Sequence, residues 1–538
     1  MYSARPIIDK SRLQQLRPDI LAIIALQLFF WIAQIYDWDL PGLYMDAVNP
    51  DFLAARTINP QQPNPFGAMP TALFPVLGNF YHGVQNYYVG LPVFLFFGFN
   101  LLSLRIAQGL FGAAIVTLVY LITKRISNDK LLGLLGAIGL ATELAFIGSF
   151  RTQFYIVISG AFWLLASIYA LLSTANPPNQ SVSTRCILSG LCFGLAVYGY
   201  FIYLFFLPAV LVLILFNTRN FKLTTKWIIG FVLGMMTYVF GYILAFIELG
   251  GITSGINWIT NFLHAIESQN TSISLFKRVA WSFEMLRLAM SNTGNEYMIF
   301  NYELPSLWAS VKFYAFIIVI ATGVLLIYRR RLVKKSMGDS LIRPEQLIWL
   351  ILSFFLCMVI LEKRVWIHHF SSVLPLFYLV AALMFGYLLK HFELKRSKQV
   401  ILGVFVLLVA VNINQQARFF DELELTGGKG KWSDSINRLA SDAVLHSPKL
   451  THLFPEWGFY MSFAFLTANK VPFTTDLSSE NLRQLSQRGG PVRLYFWEKK
   501  DEEQYATTLR NAGWALTSSG SYLQRDKNPS FYWIQGQK

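Results

Sequence analysis

The hydrophobic pattern of the chain falls into about eleven long apolar runs, near residues 20–36, 103–123, 131–148, 155–173, 185–200, 201–217, 227–247, 311–328, 345–361, 370–390 and 400–416. A helix needs roughly 17 to 25 mostly apolar residues to cross the hydrocarbon core of a bilayer, so these runs are read as transmembrane helices. The pair at 185–217 is interrupted only by Tyr198-Gly199-Tyr200, and is either two helices or one long tilted one. The first run follows a basic segment, as a signal peptide does. It ends in Trp38-Asp39-Leu40-Pro41 without a small-residue cleavage site, and is read as an anchor. From 417 onward the pattern changes to mixed charges, Gly-Gly and Asn-Pro punctuation and short segments such as Val492–Trp497, which alternates like a strand. Its length of roughly 120 residues suffices for one small domain with its own core. The predicted fold class is a polytopic α-helical membrane protein with a small soluble α/β or α+β domain at its C-terminus.

Composition agrees with this and charge gives it a direction. Hydrophobic residues make up 54% of the 538 and charged ones 14%, where an ordinary soluble chain carries about 25% charged, so most of the length cannot be solvated by water. The net charge of +15 would suit nucleic acid only if the basic residues shared one soluble face. They lie between the apolar runs instead, and no nucleic-acid partner is expected. Lys and Arg alternate between rich and poor loops: the N-terminus, Lys124-Arg125, Arg219 to Lys226, Arg329 to Lys335 and Lys390 to Lys398 share one side. By the positive-inside rule that side is the cytoplasm. Residues 1–19 are then cytoplasmic, 20–416 form the membrane domain, and loops 37–102, 248–310 and 362–369 lie outside together with the domain 417–538. The expected location is the cell (inner) membrane. Cys186, Cys192 and Cys357 all lie in apolar runs, so neither a disulfide framework nor a cysteine metal site is implied.

Two external loops hold candidate chemistry. The first places Asp37, Asp39, Asp46 and Asp51 within 15 residues, among aromatics at the membrane surface. Such carboxylates supply a general base for a hydroxyl or amine, or serve as turn formers and helix caps. Asp37 and Asp39 suit the turn reading beside Pro41-Gly42. Asp46 precedes a predicted helix from Phe52 to Ile58, and Asp51 is either a second catalytic acid or the cap of that helix. Further along, Tyr81, His82 and Tyr87 either line a groove for the acceptor or lipid or belong to the interfacial aromatic belt. The second loop reads Glu362-Lys363-Arg364-Val365-Trp366-Ile367-His368-His369 just before a helix with Pro375. Lys363, Arg364 and the histidines suit a lipid phosphate, or snorkel to headgroups. Adjacent histidines do not share one helix face, so no metal pair is expected there. Arg151 sits at an external helix junction and is a further phosphate or headgroup ligand, and Glu143 lies two turns earlier inside an apolar run.

The order of one membrane helix, Gly42-Leu43-Tyr44-Met45-Asp46, Ala54-Ala55-Arg56, Tyr81-His82-Gly83, Tyr87 to Pro92, Phe97-Gly98, and Ser103-Leu104-Arg105 opening a helix with Gly109 and Gly112 resembles the GT-C glycosyltransferases, and within them the family-39, protein-mannosyltransferase-like branch. The resemblance is clearest over 20–125 and does not reach the tail. It implies an inverting hexosyl- or pentosyltransferase that takes sugar from a polyprenyl-phosphate carrier at the external face. The acceptor would be an envelope lipid, a polysaccharide or a protein. Asp46 matches the family's loop acid, which deprotonates the acceptor. Where the family often has Asp-Glu this chain has Asp46-Ala47, leaving Asp51 as the substitute second acid. The resemblance implies no required cofactor, although the acidic loop would accept a divalent cation. No Gly-rich phosphate loop for a nucleotide sugar is present. Two rival classes stay open: a transporter or flippase of a lipid-linked substrate, which calls for paired intramembrane charges and inverted repeats, and a non-catalytic envelope assembly protein.

Overall fold

The computed structural model describes residues 10–60, 75–172, 179–218, 221–267, 274–332, 344–361, 366–446 and 450–538. Among them nine helices are long and apolar enough to cross a membrane, and two shorter apolar helices, Lys130–Ala141 and Phe201–Leu215, occupy two further apolar runs. The run at 185–217 is two elements. The helix Asn179–Gly199 ends where Tyr200 turns extended, and a tight turn at Phe201–Phe206 leads into Leu207–Thr218. The run at 131–148 is broken by Glu143, whose side chain accepts from the Ala145 N–H at 3.2 Å and starts the short helix Leu144–Ser149. Outward-facing Leu28, Phe240, Leu356 and Leu407 are 52–60% exposed. Apolar surface of that extent is stable against lipid and not against water, and the chain is a polytopic α-helical membrane protein.

Close helix packing follows from small residues where backbones meet. The helices Asn179–Gly199 and Phe221–Glu248 cross at Gly190, Gly194, Gly230 and Gly234. A Cβ at Gly190 would lie 2.0 Å from the Trp227 carbonyl oxygen, and one at Gly230 would lie 2.0 Å from that of Ile187. Gly190 and Gly194 therefore permit the close backbone contact.

The C-terminal residues form a five-stranded mixed sheet. Thr451–Leu453 pairs in parallel with Phe473–Thr474 on one side and Val492–Phe496 on the other. Pro529–Gln537 follows antiparallel, and Ala515–Leu523 is the edge. One core belongs to this domain alone, built on Leu453, Leu494, Phe496, Leu509, Trp514 and Ile534. A second is shared: Leu43, Ala47, Val48 and Phe52 of the first loop pack with Trp432, Phe459, Tyr460 and Phe463. The membrane helix Ser397–Thr426 joins the two parts, ending at Gly427 in the left-handed region (φ 66°). Gly42 is pressed so close that a Cβ there would lie 1.9 Å from the Ser433 carbonyl oxygen. The first loop and the C-terminal domain therefore pack as one body at one end of the helix bundle.

Candidate active site

The loop that carries Asp46 is fixed from below by two fully buried arginines. Arg151 donates through Nη1 to the carbonyl oxygens of Asp37 and Leu40, both at 2.8 Å, and through Nη2 to those of Ala33, Gln34 and Tyr36. Apart from the Asp37 carbonyl, which also accepts from the Leu40 N–H at 3.0 Å, these are carbonyls that the end of the helix Lys10–Ile35 and the following turn leave without a backbone donor, so the guanidinium neutralises the negative end of that helix. Arg105 donates to the carbonyls of Trp38, Leu40 and Phe150. One turn on, Gln108 Nε2 holds the Ala47 carbonyl at 2.8 Å. A loop anchored by these side chains presents the residue before Ala47 from a fixed backbone.

That residue is Asp46, on a single turn Met45–Ala47. Its side chain is half-buried, and desolvation pushes its carboxyl up to about 6, which leaves it about nine-tenths ionised at pH 7. The hydroxyls of Tyr44, Tyr81, Tyr200 and Tyr460 all lie within electrostatic reach of it. Asp51 is fully buried, and neither carboxylate oxygen makes a hydrogen bond. It occupies the N-cap position of the helix Phe52–Ile58 without capping it, which removes the cap reading. The Tyr155 hydroxyl faces it without hydrogen-bond geometry, and Gly90 backs it so closely that a Cβ there would stand 2.9 Å from Oδ1. Burial pushes Asp51 up to about 8, so it holds its proton at neutral pH. On the same helix, Arg56 has Nε and Nη1 buried without partners, and burial pulls it down to about 10. The Tyr460 hydroxyl senses both Asp46 and Arg56.

On the bundle side, His82 is fully buried and neutral, pulled down to about 4 by desolvation. Its Nδ1 lies 3.0 Å from the Gly83 carbonyl, so Nδ1 carries the proton, and Nε2 accepts from Asn49 Nδ2 at 3.4 Å. His82 stacks on Tyr200 (6.1 Å, 12°). His369 Nδ1 accepts from the Trp366 N–H at 3.0 Å, which puts its proton on Nε2, 3.2 Å from the Tyr200 hydroxyl. Tyr200 thus accepts from His369 and keeps its own proton to donate. The His368 and His369 rings lie 4.0 Å apart. The tight turn Ile367–Val373 brings together two neighbours that a regular helix would separate, contrary to the expectation that they diverge. No group of three or more His, Cys, Asp or Glu that would hold a metal ion occurs among the described residues.

The structure therefore brings Asp46, Asp51, Tyr81, His82, His368 and His369 into one connected region. It corrects Arg151, whose guanidinium is committed to backbone carbonyls and braces the loop rather than waiting for a phosphate. Tyr87 is a core residue: fully buried, it donates to Thr57 Oγ1 at 3.1 Å and lines no open groove. Lys363 and Arg364 lie outside the described residues. Arg56, Tyr200 and Tyr460 were not singled out by the sequence. For Arg56 a signal existed, as the lone cation of the 37–102 loop. For Tyr460, some 400 residues from Asp46 in the chain, none did.

Residues 86–243 match the family model described as dolichyl-phosphate-mannose-protein mannosyltransferase. The GT-C resemblance stands. The matched segment contains Arg105, Arg151 and Tyr200, and the Asp46 loop precedes it. No curated protein matches the sequence. Among solved structures, ArnT from Cupriavidus metallidurans bound to undecaprenyl phosphate aligns with 96% of this chain and 97% of its own at 12% identity and a TM-score of 0.47. The same protein in its apo state aligns over the same shares at 12% and 0.45.

Proposed function

We propose that this chain is an inverting glycosyltransferase that moves a sugar from a polyprenyl-phosphate carrier to a cell-envelope acceptor, lipid, polysaccharide or protein, at the external membrane face. The observation that carries the reading is Asp46: a half-accessible, ionised carboxylate on a rigidly braced turn, ringed by tyrosines, one of which, Tyr460, also lies within reach of the Arg56 guanidinium. In the reaction, Asp46 accepts the proton of the acceptor hydroxyl as its oxygen attacks the anomeric carbon. The bond from that carbon to the carrier phosphate oxygen breaks, and the electron pair leaves with the phosphate. A single displacement inverts the anomeric centre. Arg56 and the Tyr200 hydroxyl, polarised by His369, are donors suited to the charge that grows on the phosphate. Lys363 and Arg364, just before the histidine turn in sequence, are cations of the type a phosphate clamp uses. Asp51, holding its proton, acts as a neutral donor and not as a second base. No cofactor enters this mechanism.

Mass spectrometry of envelope glycans and glycolipids from cells with and without the gene names the sugar and the acceptor. The wild-type gene restores the product, and Asp46→Asn, inserted and folded as wild type, does not. Product formation by purified Asp46→Asn would overturn the role of Asp46. An unchanged glycan profile together with accumulation of an unflipped lipid-linked precursor would favour the transport reading.

A further inference from the structure

Two walls lead away from Asp46. Tyr81, Tyr200 and His369 run into the helix bundle. Tyr44 runs the other way, into the C-terminal domain, where its ring packs on Trp432 (5.3 Å), stands across Gly458 from Trp497 and lies under Lys431. Lys431 is exposed, with Nζ 6.0 Å from the centre of the Tyr44 ring and 5.6 Å from that of Trp497. Among the described residues it has no carboxylate partner.

Both rings are held rigidly. Trp497 stacks on Phe459 (3.9 Å, 13°) and donates from Nε1 to the Trp457 carbonyl at 2.9 Å. Gly458 lies between the rings with φ 118°, and a Cβ there would come within 2.6 Å of Tyr44 and 2.9 Å of Trp497. Lys431 itself rides on a strap, Gly427-Gly428-Lys429-Gly430, whose three glycines all have positive φ. The strap is pinned where the Lys429 N–H donates to the Ile299 carbonyl at 2.7 Å.

We infer that the C-terminal domain forms the acceptor side of the active site, and that Lys431 with the faces of Tyr44 and Trp497 binds the anionic group of a phosphate- or carboxylate-bearing saccharide. This rests on the transferase reading for one step. A carrier lipid stays in the bilayer and reaches Asp46 from the bundle, so the acceptor, whose hydroxyl must touch Asp46, comes along the Tyr44 wall. The chemistry of that wall names the class. Flat aromatic faces take the apolar face of a pyranose, and an ammonium with no carboxylate to neutralise it takes an anion as a point charge. A peptide acceptor would need extended backbone partners, which this wall of rings does not offer.

The test uses the purified full-length chain in detergent and tryptophan fluorescence titration with glucose 6-phosphate, glucuronate, glucose and inorganic phosphate. Glucose 6-phosphate and glucuronate are expected to bind at least tenfold more tightly than glucose or phosphate alone. Lys431→Ala loses that tenfold preference and Lys431→Arg retains it. Equal binding of the charged sugars by Lys431→Ala overturns the inference, as does a wild type that does not prefer them to glucose. Inorganic phosphate binding as tightly as glucose 6-phosphate overturns the saccharide assignment. Binding that survives Lys431→Ala but disappears in Arg56→Gln assigns the anion to the carrier side and overturns it as well. None of these readings depends on sugar transfer, so failure of Asp46 in the transfer assay counts against the reaction alone.

Discussion

Two buried polar clusters lie within this fold and differ in one respect. In the bundle, Glu143 is paired with Lys312 at 2.5 Å, and Tyr378 donates to the same carboxylate. Lys312 reaches Asn412 at 3.0 Å and Gln415 at 3.1 Å, and Asn412 returns hydrogen bonds to Gly139 and Thr142. Every charge there has its partner. Around the first loop, Asp51, Arg56, Asn49, Gln85, Asn86 and Tyr155 all keep buried polar atoms without one. An unpaired buried polar group costs about 1–3 kcal/mol, and a fold does not gather several in one place unless something else, solvent or substrate, answers them. The satisfied cluster reads as structure and the unsatisfied one as function. The Glu143–Lys312 pair also meets one feature expected of a transporter. Its closure by neutral side chains makes it a brace between helices and leaves no open path for a substrate.

Substitutions separate the two clusters by what they change. Asp46→Asn should lower transfer by about 10²–10⁴-fold, as loss of a general base does, with an unchanged melting temperature. The wild-type rate should fall with decreasing pH below about 6, where Asp46 takes up its proton. Lys312→Met is expected to do the reverse, lowering stability by about 3–5 kcal/mol because it strands a buried carboxylate. The double variant Glu143→Gln/Lys312→Met recovers most of that in thermal unfolding. A single Lys312→Met as stable as wild type would erase the contrast. Arg56→Gln should reduce transfer by about 10²–10³-fold, the scale for one donor to a developing anion, with little change in stability, since the half-buried guanidinium leaves Nε and Nη1 without hydrogen bonds.

A pH-dependent effect concerns Asp51. Its folded pKa of about 8 stands above its ordinary 3.8, so between those values the folded state binds more protons than the unfolded one. Stability then falls as pH rises from about 4 to 8, by at most about 1.4 kcal/mol per pH unit. Asp51→Asn flattens that slope in denaturation followed across pH, and an unchanged slope would move its cause elsewhere.

Much of the bundle was legible because a membrane helix is specified locally, by a run of apolar residues whose backbone bonds close within the run. The break at Tyr198-Gly199-Tyr200 was visible for the same reason. Asp46 was legible as an acid before a short helix in a surface loop. The role of Arg151 was not, because a lone arginine at a helix junction reads alike whether it faces a phosphate or a row of carbonyls. Lys312 was hidden inside an apolar run, where its partner Glu143 stood 169 residues away.

The sequence by itself determined the membrane class, the helices and the one loop that carries the acid, since each is a property of neighbours along the chain. Only the tertiary structure decided that Tyr460 of the C-terminal domain comes within reach of Asp46, that Lys431 lies over Tyr44, that Asp51 goes unpaired while Glu143 does not, and that Arg151 braces the loop. Partners chosen by packing across hundreds of residues leave no periodic trace in the sequence, because burial and satisfaction are properties of a place in the fold and not of a residue type.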